Sequence, residues 1–265
     1  MDMPLNQFKR ALAAGQSQIG LFLGMANAYV AEVVATTGFD WLLIDGEHGP
    51  NDLQSIIGQL QVLGQYPVKP VVRTVDHDTA RIKQLLDAGV QSLMVPMVES
   101  AAEAEALVRA MRYPPHGIRG VGTAMARAAR WNGVGGYFAQ ADREMCLIVQ
   151  IESMAGLAGL DEILKVDGVD AVFIGPSDLA ASMGHLGNPG HPDVKAALNA
   201  AIAKISAAGK AVGVFSADPV AAEAYRAMGA SFLLVGVDAL LLRNSAVVLA
   251  ERFKKGEAGK GGAAY

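Results

Sequence analysis

Three ionisable residues follow an apolar stretch in the first fifth of the chain. The residues from Trp41 to Ile44 are continuously apolar, as in a strand buried on both faces, and they lead into Asp45, Glu47 and His48. Proteins with parallel sheets place their chemistry at the carboxyl ends of strands. Because histidine titrates near neutral pH, His48 is a candidate acid/base.

Polar residues also follow three later apolar stretches. Arg73 ends one stretch, Gln150 and Glu152 end another, and Ser177 with Asp178 follow a third. The alternation of side chains along a strand puts Gln150 and Glu152 on the same face. Taken singly, each residue has a simple structural explanation, such as a charge pair, a cap or exposure to solvent. Their common position at strand ends favours a single site on one rim.

The two carboxylates Glu152 and Asp178 predict a site for a divalent metal ion. Carboxylate oxygens are hard ligands that suit Mg²⁺ or Mn²⁺, and two protein ligands leave positions open for water and substrate. A 2-oxo acid can fill two of these positions, and the metal then acts as a Lewis acid on the keto group. Arg73 can face the negative charge of the resulting enolate, and His48 can transfer protons.

The sequence disfavours both a Schiff-base lysine and a bound nucleotide. A Schiff-base mechanism needs a lysine at the carboxyl end of a strand, but Lys69 and Lys210 lie at the amino-terminal starts of strands. Four others fall in helices or at their ends, namely Lys83, Lys165, Lys195 and Lys204. The first strand is followed by Gly24-Met25-Ala26-Asn27, which is not the Gly-x-Gly-x-x-Gly of a dinucleotide site. We therefore expect no Schiff-base lysine and no nucleotide.

Strand-like and helix-like segments alternate along the chain. Strands are predicted at 19–24, 41–47, 68–75, 92–98, 145–151, 169–174, 211–215 and 232–237, each followed by a helical pattern. Eight such units predict an α/β fold of the (β/α)8 TIM-barrel type. An open doubly wound sheet is the alternative, because periodicity alone does not separate the two. We expect one barrel domain at residues 1–256 and a disordered tail at 257–265.

Composition bears on the class of partner. The chain has 265 residues, is 52% hydrophobic and carries a formal net charge of −4 without a basic stripe, so neither nucleic acid nor a membrane is expected as a partner. Residues 1–10 lack the apolar stretch of a signal peptide, and no uncharged apolar run is long enough to cross a bilayer. Cys146 is the single cysteine, and we expect a cytoplasmic protein.

Five sequence motifs occur in a characteristic order. They are Gly38 to His48, Pro70 to Arg73, Tyr113 to Gly120, Gln150 to Glu152 and Ile174 to Leu179. Together they resemble the HpcH/HpaI aldolase family of class II, metal-dependent pyruvate aldolases. The resemblance implies a (β/α)8 barrel of the phosphoenolpyruvate/pyruvate type, with Glu152 and Asp178 as ligands of Mg²⁺, Mn²⁺ or Co²⁺. It also implies Arg73 as the stabiliser of the enolate oxygen and His48 as the acid/base.

The same resemblance implies further roles. Asp87 matches a carboxylate that raises the basicity of the histidine, and Gln150, Ser177 and Asp178 match positions that hold the oxo acid. The family's assembly is a trimer of dimers, which implies a homo-hexamer whose last helix packs on a neighbouring subunit. Packing of that helix on its own barrel is the alternative, and it would use the same apolar residues, Leu240, Leu241, Leu242, Val247, Val248 and Leu249.

The aldehyde half of the substrate is less well defined. Arg127, in the long segment 114–140, is predicted to bind a distal carboxylate of the aldehyde, with bracing of the loop as the alternative. Phe22, at the end of the first strand, is predicted to line the aldehyde pocket, with core packing as the alternative.

The predicted reaction is the reversible cleavage of a 4-hydroxy-2-oxo acid to pyruvate and an aldehyde. The predicted substrate is 4-hydroxy-2-oxoheptanedioate, with 2-dehydro-3-deoxyglucarate and 2-keto-3-deoxyrhamnonate as alternatives. A citrate-lyase-like enzyme that uses a coenzyme A thioester, and a non-catalytic 2-oxo acid binding protein, are the other readings of the same residues.

Overall fold

Parallel strands form a closed barrel in the computed structural model, which describes residues 1–254. Within this range the strands are β1 Gln18–Leu23, β2 Trp41–Asp45, β3 Lys69–Arg73, β4 Ser92–Val95, β5 Cys146–Ile151, β6 Val169–Ile174, β7 Ala211–Phe215 and β8 Ala230–Val237. Each pairs with the next, and β8 pairs with β1. The closed sheet confirms the predicted (β/α)8 barrel over the doubly wound alternative. The predicted tail at 257–265 lies outside the described residues.

Helices surround the barrel. Those in the described part of the chain are α1 Gln7–Ala13, α2 Ala28–Ala35, α3 Leu53–Leu63, α4 Thr79–Ala88, α5 Ala101–Met111, α6 Tyr137–Glu144, α7 Met154–Ile163, α8 Pro176–Ser182, α9 Pro192–Ala207, α10 Pro219–Ala227 and α11 Asp238–Lys254. Side-chain caps fix several starts, as where Asp52 accepts a hydrogen bond from the backbone N–H of Ser55 at 2.8 Å. Between residues 1 and 254, no helix is long and apolar enough to cross a membrane.

Alternate residues of each strand point into the barrel. Leu43 and Val71 belong to a buried cluster inside the ring of strands, whereas the residues between such positions pack against the helices in a second cluster. The alternation continues to the ends of the strands. Asp45 and Arg73, two residues beyond Leu43 and Val71, therefore point to the inside at the carboxyl-terminal rim.

The amino-terminal end of the barrel is closed by α1, a helix that the sequence analysis did not predict. Phe8 of α1 is buried, and its ring centroid lies 5.2 Å from that of Trp41 and 5.9 Å from that of Phe232. Arg10 of the same helix donates two hydrogen bonds to the carboxylate of Glu144, at 2.6 and 2.8 Å. Aromatic side chains therefore fill the inside of the barrel at this end.

Two strands that carry candidate residues end earlier than predicted. β2 ends at Asp45 and β3 at Arg73, where the sequence analysis placed the ends at residues 47 and 75. Gly46 lies so close to β3 that a Cβ atom there would be 2.6 Å from the carbonyl oxygen of Arg73, which explains the need for glycine. Glu47 and His48 consequently lie in the bend after β2.

Candidate active site

A cavity of about 450 Å³ opens at the carboxyl-terminal end of the barrel. The structure brings six of the predicted site residues to its lining, namely Phe22, His48, Arg73, Gln150, Ser177 and Asp178. Asp45 and the apolar side chains of Phe173, Phe215 and Val237 complete much of the wall. The cavity thus combines charged groups with apolar side chains, as small-molecule sites usually do.

Arg73 is a buried cation in this cavity. Its Nε and Nη2 atoms donate to the two carboxylate oxygens of Asp45, each at 2.8 Å, and its Nη1 lies 2.8 Å from Oε2 of Glu47. The ring of Phe22 lies over the guanidinium, with 5.2 Å between the ring centroid and Cζ. These contacts fix the planar group in one orientation, a geometry that lysine cannot reproduce.

Asp45 also positions the segment that carries His48, a role that the sequence analysis did not assign. Its Oδ1 accepts hydrogen bonds from the backbone N–H groups of Glu47 and His48, at 3.1 and 3.4 Å. Burial works against ionisation of Asp45, but the hydrogen bonds and charge of Arg73 prevail and lower the pKa of this carboxyl. In the sequence, the signal for this role is that Asp45 belongs to the alternate residues of β2 that point into the barrel.

The imidazole of His48 is accessible, with 67% of its side chain exposed. Its Nε2 lies 3.7 Å from Oε2 of Glu47. An accessible imidazole beside a carboxylate can donate a proton to a bound molecule or accept one from it. The placement of His48 therefore suits a general acid/base.

Glu152 is buried beside the cavity. Its Oε1 accepts a hydrogen bond from the backbone N–H of Met97 at 2.9 Å, and its Oε2 accepts one from Nε2 of Gln150. Met97 has a φ of +52°, which is uncommon for a residue other than glycine. Burial, assisted by the carboxylates of Glu47 and Asp178, raises the pKa of Glu152 to about 7 against these two hydrogen bonds.

The carboxylates of Glu47, Glu152 and Asp178 influence one another electrostatically, and carboxylate oxygens are the ligands that a hard divalent cation prefers. Burial raises the pKa of Glu47 as well, although Arg73 lies nearby. Oε2 of Glu47 meets Arg73 as an ion pair without hydrogen-bond alignment, and Oε1 of Gln150 is also buried without a hydrogen-bond partner among the described residues. Hard oxygen atoms that repel one another and lack donors are the ligands that Mg²⁺ or Mn²⁺ would satisfy.

The structure does not bring Asp87 and Arg127 to the cavity of their own subunit. Asp87 lies near the end of α4, which runs back from the rim, and its Oδ1 accepts a hydrogen bond from the buried Arg119 at 2.8 Å. Arg127 donates to the carbonyl of Ala88 at 2.9 Å, beside the end of the same helix. Burial, with the charge of Arg130, lowers the pKa of Arg127. Within one subunit both residues act as structural contacts.

Comparison with known proteins gives consistent matches. The family model for HpcH/HpaI aldolase/citrate lyase matches residues 18–245. A hydroxypyruvate/pyruvate aldolase from Pseudomonas aeruginosa is 60% identical over 97% of this chain and 96% of its own. A 4-hydroxy-2-oxo-heptane-1,7-dioate aldolase from Salmonella heidelberg is 55% identical over 94% of each chain.

A solved structure is also similar to this chain. The crystal structure of a HpcH/HpaI aldolase/citrate lyase family protein from Burkholderia cenocepacia superposes with a TM-score of 0.89 at 39% identity, over 93% of this chain and 98% of that one. The matches confirm the predicted barrel type and the predicted enzyme class, a carbon–carbon lyase of the pyruvate aldolase type. The chain therefore belongs to the HpcH/HpaI aldolase/citrate lyase family.

Proposed function

We propose that this cavity reversibly cleaves 4-hydroxy-2-oxoheptanedioate, a 4-hydroxy-2-oxo acid, into pyruvate and an aldehyde. The observation that carries the proposal is the fixed guanidinium of Arg73, held by Asp45 at 2.8 Å next to the carboxylates of Glu152 and Asp178. A site with one fixed cation and a set of hard oxygen ligands suits a 2-oxo acid whose 2-oxygen gains negative charge during the reaction.

The proposal includes one divalent cation, Mg²⁺, Mn²⁺ or Co²⁺, with Glu152 and Asp178 as its ligands. When bound, such an ion supplies Lewis acidity toward the 2-oxo group. One oxygen each of Glu47 and Gln150 is buried without a hydrogen bond among the described residues, which supports a cation at this place. Two lysines close to strands are engaged elsewhere: Lys69 and Lys210 donate to backbone carbonyls at 3.4 and 2.7 Å. Their contacts support a mechanism without a Schiff base.

In the proposed cleavage, His48 takes the proton of the C4 hydroxyl, directly or through a water molecule. The C3–C4 bond then breaks, the aldehyde leaves, and the bonding electron pair stays with the pyruvate fragment as an enolate. Arg73 stabilises the negative charge on the enolate oxygen, while Gln150 and Ser177 hold the carboxylate of the oxo acid. Protonation at C3 completes pyruvate.

The predicted roles of Asp87 and Arg127 require a neighbouring subunit, since neither residue lines its own cavity. α11 supports an assembly, because its apolar side chains are exposed instead of packed on their own barrel; Leu240 and Val248 are 52% and 61% exposed. We therefore keep the homo-hexamer as part of the proposal, together with a cytoplasmic location. Light scattering in solution would distinguish a hexamer from a monomer, and a monomer would remove Asp87 and Arg127 from the proposed site.

Activity as a hydroxypyruvate/pyruvate aldolase is the second candidate. The relative from Pseudomonas aeruginosa carries that name. The wall of the cavity that would meet the aldehyde is apolar, with Phe22, Phe215 and Val237, and Arg127 is not part of it. This wall favours an aldehyde without a distal carboxylate, and a hydroxyl group on the methyl carbon of the donor would leave the contacts of the 2-oxo acid unchanged.

A substrate panel separates these candidates. Cleavage of 4-hydroxy-2-oxoheptanedioate, 2-dehydro-3-deoxyglucarate and 2-keto-3-deoxyrhamnonate would be followed by release of pyruvate, and condensation would be followed with pyruvate or hydroxypyruvate as donor. Each assay is run with a chelator and with added Mg²⁺, Mn²⁺ or Co²⁺. We expect loss of activity on chelation and recovery with metal. Full activity after exhaustive chelation, or trapping of a lysine by borohydride with pyruvate, would contradict the proposal.

A further inference from the structure

Outside the cavity, the segment between α8 and α9 brings three side chains together that can bind a metal ion. The ligand atoms of His185, His191 and Asp193 all lie within 4.8 Å of one another. Nε2 of His185 is 3.8 Å from Oδ2 of Asp193, and Nδ1 of His191 is 3.7 Å from the same oxygen. We propose that these three residues form a second cation site, with a preference for Zn²⁺ and related late first-row divalent ions.

The donor set gives this site a different preference from that of the cavity. Two imidazole nitrogens and one carboxylate oxygen suit Zn²⁺, Ni²⁺ or Cu²⁺, whereas Mg²⁺ prefers oxygen ligands alone. In the cavity, by contrast, Glu152 and Asp178 offer only oxygen. Three protein ligands also leave a fourth position of a tetrahedral ion for water. The two sites should therefore bind different ions from the same mixture.

The observed separations are close to those that an ion would impose. Zinc bonds to nitrogen and oxygen are about 2.0–2.1 Å long, which places two ligands of a tetrahedral ion about 3.3 Å apart. The nitrogen–oxygen distances of 3.7 and 3.8 Å need to close by a few tenths of an ångström. The rings of His185 and His191 are stacked at 3.5 Å, 14° from parallel, so one ring must turn to direct both lone pairs at one ion. Their partial exposure, 27% and 31%, leaves room for that rotation.

The backbone holds the ligands near each other before any ion binds. The N–H of Asn188 donates to the carbonyl of His185 at 2.9 Å, and the N–H of His191 donates to the carbonyl of Asn188 at 3.1 Å. These turns bring the two histidines together, and Asp193 lies in the first turn of α9. Nδ1 of His191 also accepts a hydrogen bond from the backbone N–H of Asp193 at 3.3 Å, which caps the helix. The exchange of this long hydrogen bond for a metal bond requires little rearrangement.

Zinc binding would be measured by calorimetry in a variant with the cavity ligands removed, Glu152→Ala with Asp178→Ala. We expect this variant to bind one Zn²⁺ per chain, with no displacement by millimolar Mg²⁺. Addition of His185→Ala or His191→Ala should weaken binding by more than about tenfold, since the loss of a residue that only supports a metal ligand already has an effect of that size. His116→Ala, which removes an exposed imidazole elsewhere, is the matched control and should leave binding unchanged.

Hydrogen exchange on the unmodified chain gives a second readout that does not depend on the folding of any variant. Added Zn²⁺ should slow exchange of the backbone amides from 185 to 193, and added Mg²⁺ should not. Two results would overturn the proposal: equal zinc affinity with and without His185 and His191, or unchanged exchange in this segment at saturating zinc. His191 would then serve only to cap α9.

Discussion

Glu144 and Glu152 are buried carboxylates at opposite ends of the same barrel. At the amino-terminal end, Glu144 accepts two hydrogen bonds from Arg10 and one from the backbone N–H of Asn6, at distances from 2.6 to 2.8 Å. The hydrogen bonds from Arg10 lower the pKa of Glu144 more than burial raises it. At the carboxyl-terminal end, burial prevails and raises the pKa of Glu152 to about 7.

The difference shows how one fold separates stability from function. The ionised form of Glu144 is satisfied by the protein itself, so this carboxylate contributes to the stability of the folded state. The ionised form of Glu152 accepts two hydrogen bonds, but it also lies near two other carboxylates, so an external cation would stabilise it further. Substitutions at the first end should therefore change the free energy of unfolding, and substitutions at the second should change activity.

The largest effect is expected for Arg73→Ala. Removal of a single donor to a developing oxyanion usually costs about 3–4 kcal/mol, so cleavage should slow roughly a hundred- to a thousandfold. Arg73→Lys should restore little, because it keeps the charge without the planar group that binds Asp45 through two nitrogens. The rate of pyruvate release at saturating metal and substrate measures this. A lysine variant with nearly full activity would show that charge alone is required.

At the other end, Glu144→Gln should lower the free energy of unfolding by about 1–2 kcal/mol and leave kcat unchanged. The change removes charged hydrogen bonds at a nearly buried carboxylate, and the estimate is reduced because 45% of the Arg10 side chain is exposed to solvent. Urea unfolding gives the value. Glu162→Gln, in the exposed pair with Lys165, is the control and should have no measurable effect. A loss of activity with unchanged stability in Glu144→Gln would contradict the assignment of stability to the amino-terminal end of the barrel and of activity to the other end.

Two phenylalanines offer a matched pair. Phe22 lines the cavity, and Phe8 is buried beneath Trp41 at the closed end. Phe22→Leu should reduce kcat/KM for the aldehyde about tenfold, because it alters a contact with the substrate. Phe8→Leu should instead destabilise the protein by about 1 kcal/mol through imperfect packing, without an effect on kcat/KM. Steady-state kinetics and urea unfolding of both variants test this prediction. It would be refuted if Phe8→Leu lowered kcat/KM and Phe22→Leu lowered only the stability.

The smallest effect is expected in the stability of the protein at acidic pH. The pKa of Glu144 is lowered in the folded state, so its contribution to stability is present above the ordinary glutamate pKa of about 4.3 and is lost as the pH falls through the folded value. The difference in unfolding free energy between the unmodified protein and Glu144→Gln should be constant from pH 6 to 8 and shrink below about pH 4. A difference that persists undiminished at pH 3 would mean that charge is not its source.

The residue pattern predicted the barrel well, because buried parallel strands and amphipathic helices leave strong periodic signals. It also placed Arg73, Gln150 and Glu152 at strand ends. It missed α1, since seven residues give a weak helical signal and the helix is stabilised by contacts with Trp41 and Glu144, which are distant in sequence. Contacts between residues that are distant in sequence cannot be predicted from the spacing of residues along the chain alone.

Asp45, Asp87 and Arg127 show which features of the site could not be predicted from the sequence. The sequence analysis singled out Asp45 but gave it no partner, because its bond to Arg73 joins two strands whose register must be known first. Asp87 was expected to act on His48 and Arg127 on the aldehyde, yet in one subunit they contact Arg119 and Ala88. Pattern and resemblance carry no information about which subunit a residue serves.

Proton–deuterium exchange of the methyl group of pyruvate, followed by NMR in the absence of any aldehyde, tests the central claim most directly. We expect exchange by the unmodified protein with added Mg²⁺ or Mn²⁺, loss of exchange on chelation, and a roughly hundred- to thousandfold loss in Arg73→Ala that matches the loss of cleavage. Glu144→Gln should exchange at the unmodified rate. If Arg73→Ala abolished cleavage yet exchanged pyruvate protons at the unmodified rate, Arg73 would act on the aldehyde half and the proposed enolate site would be wrong.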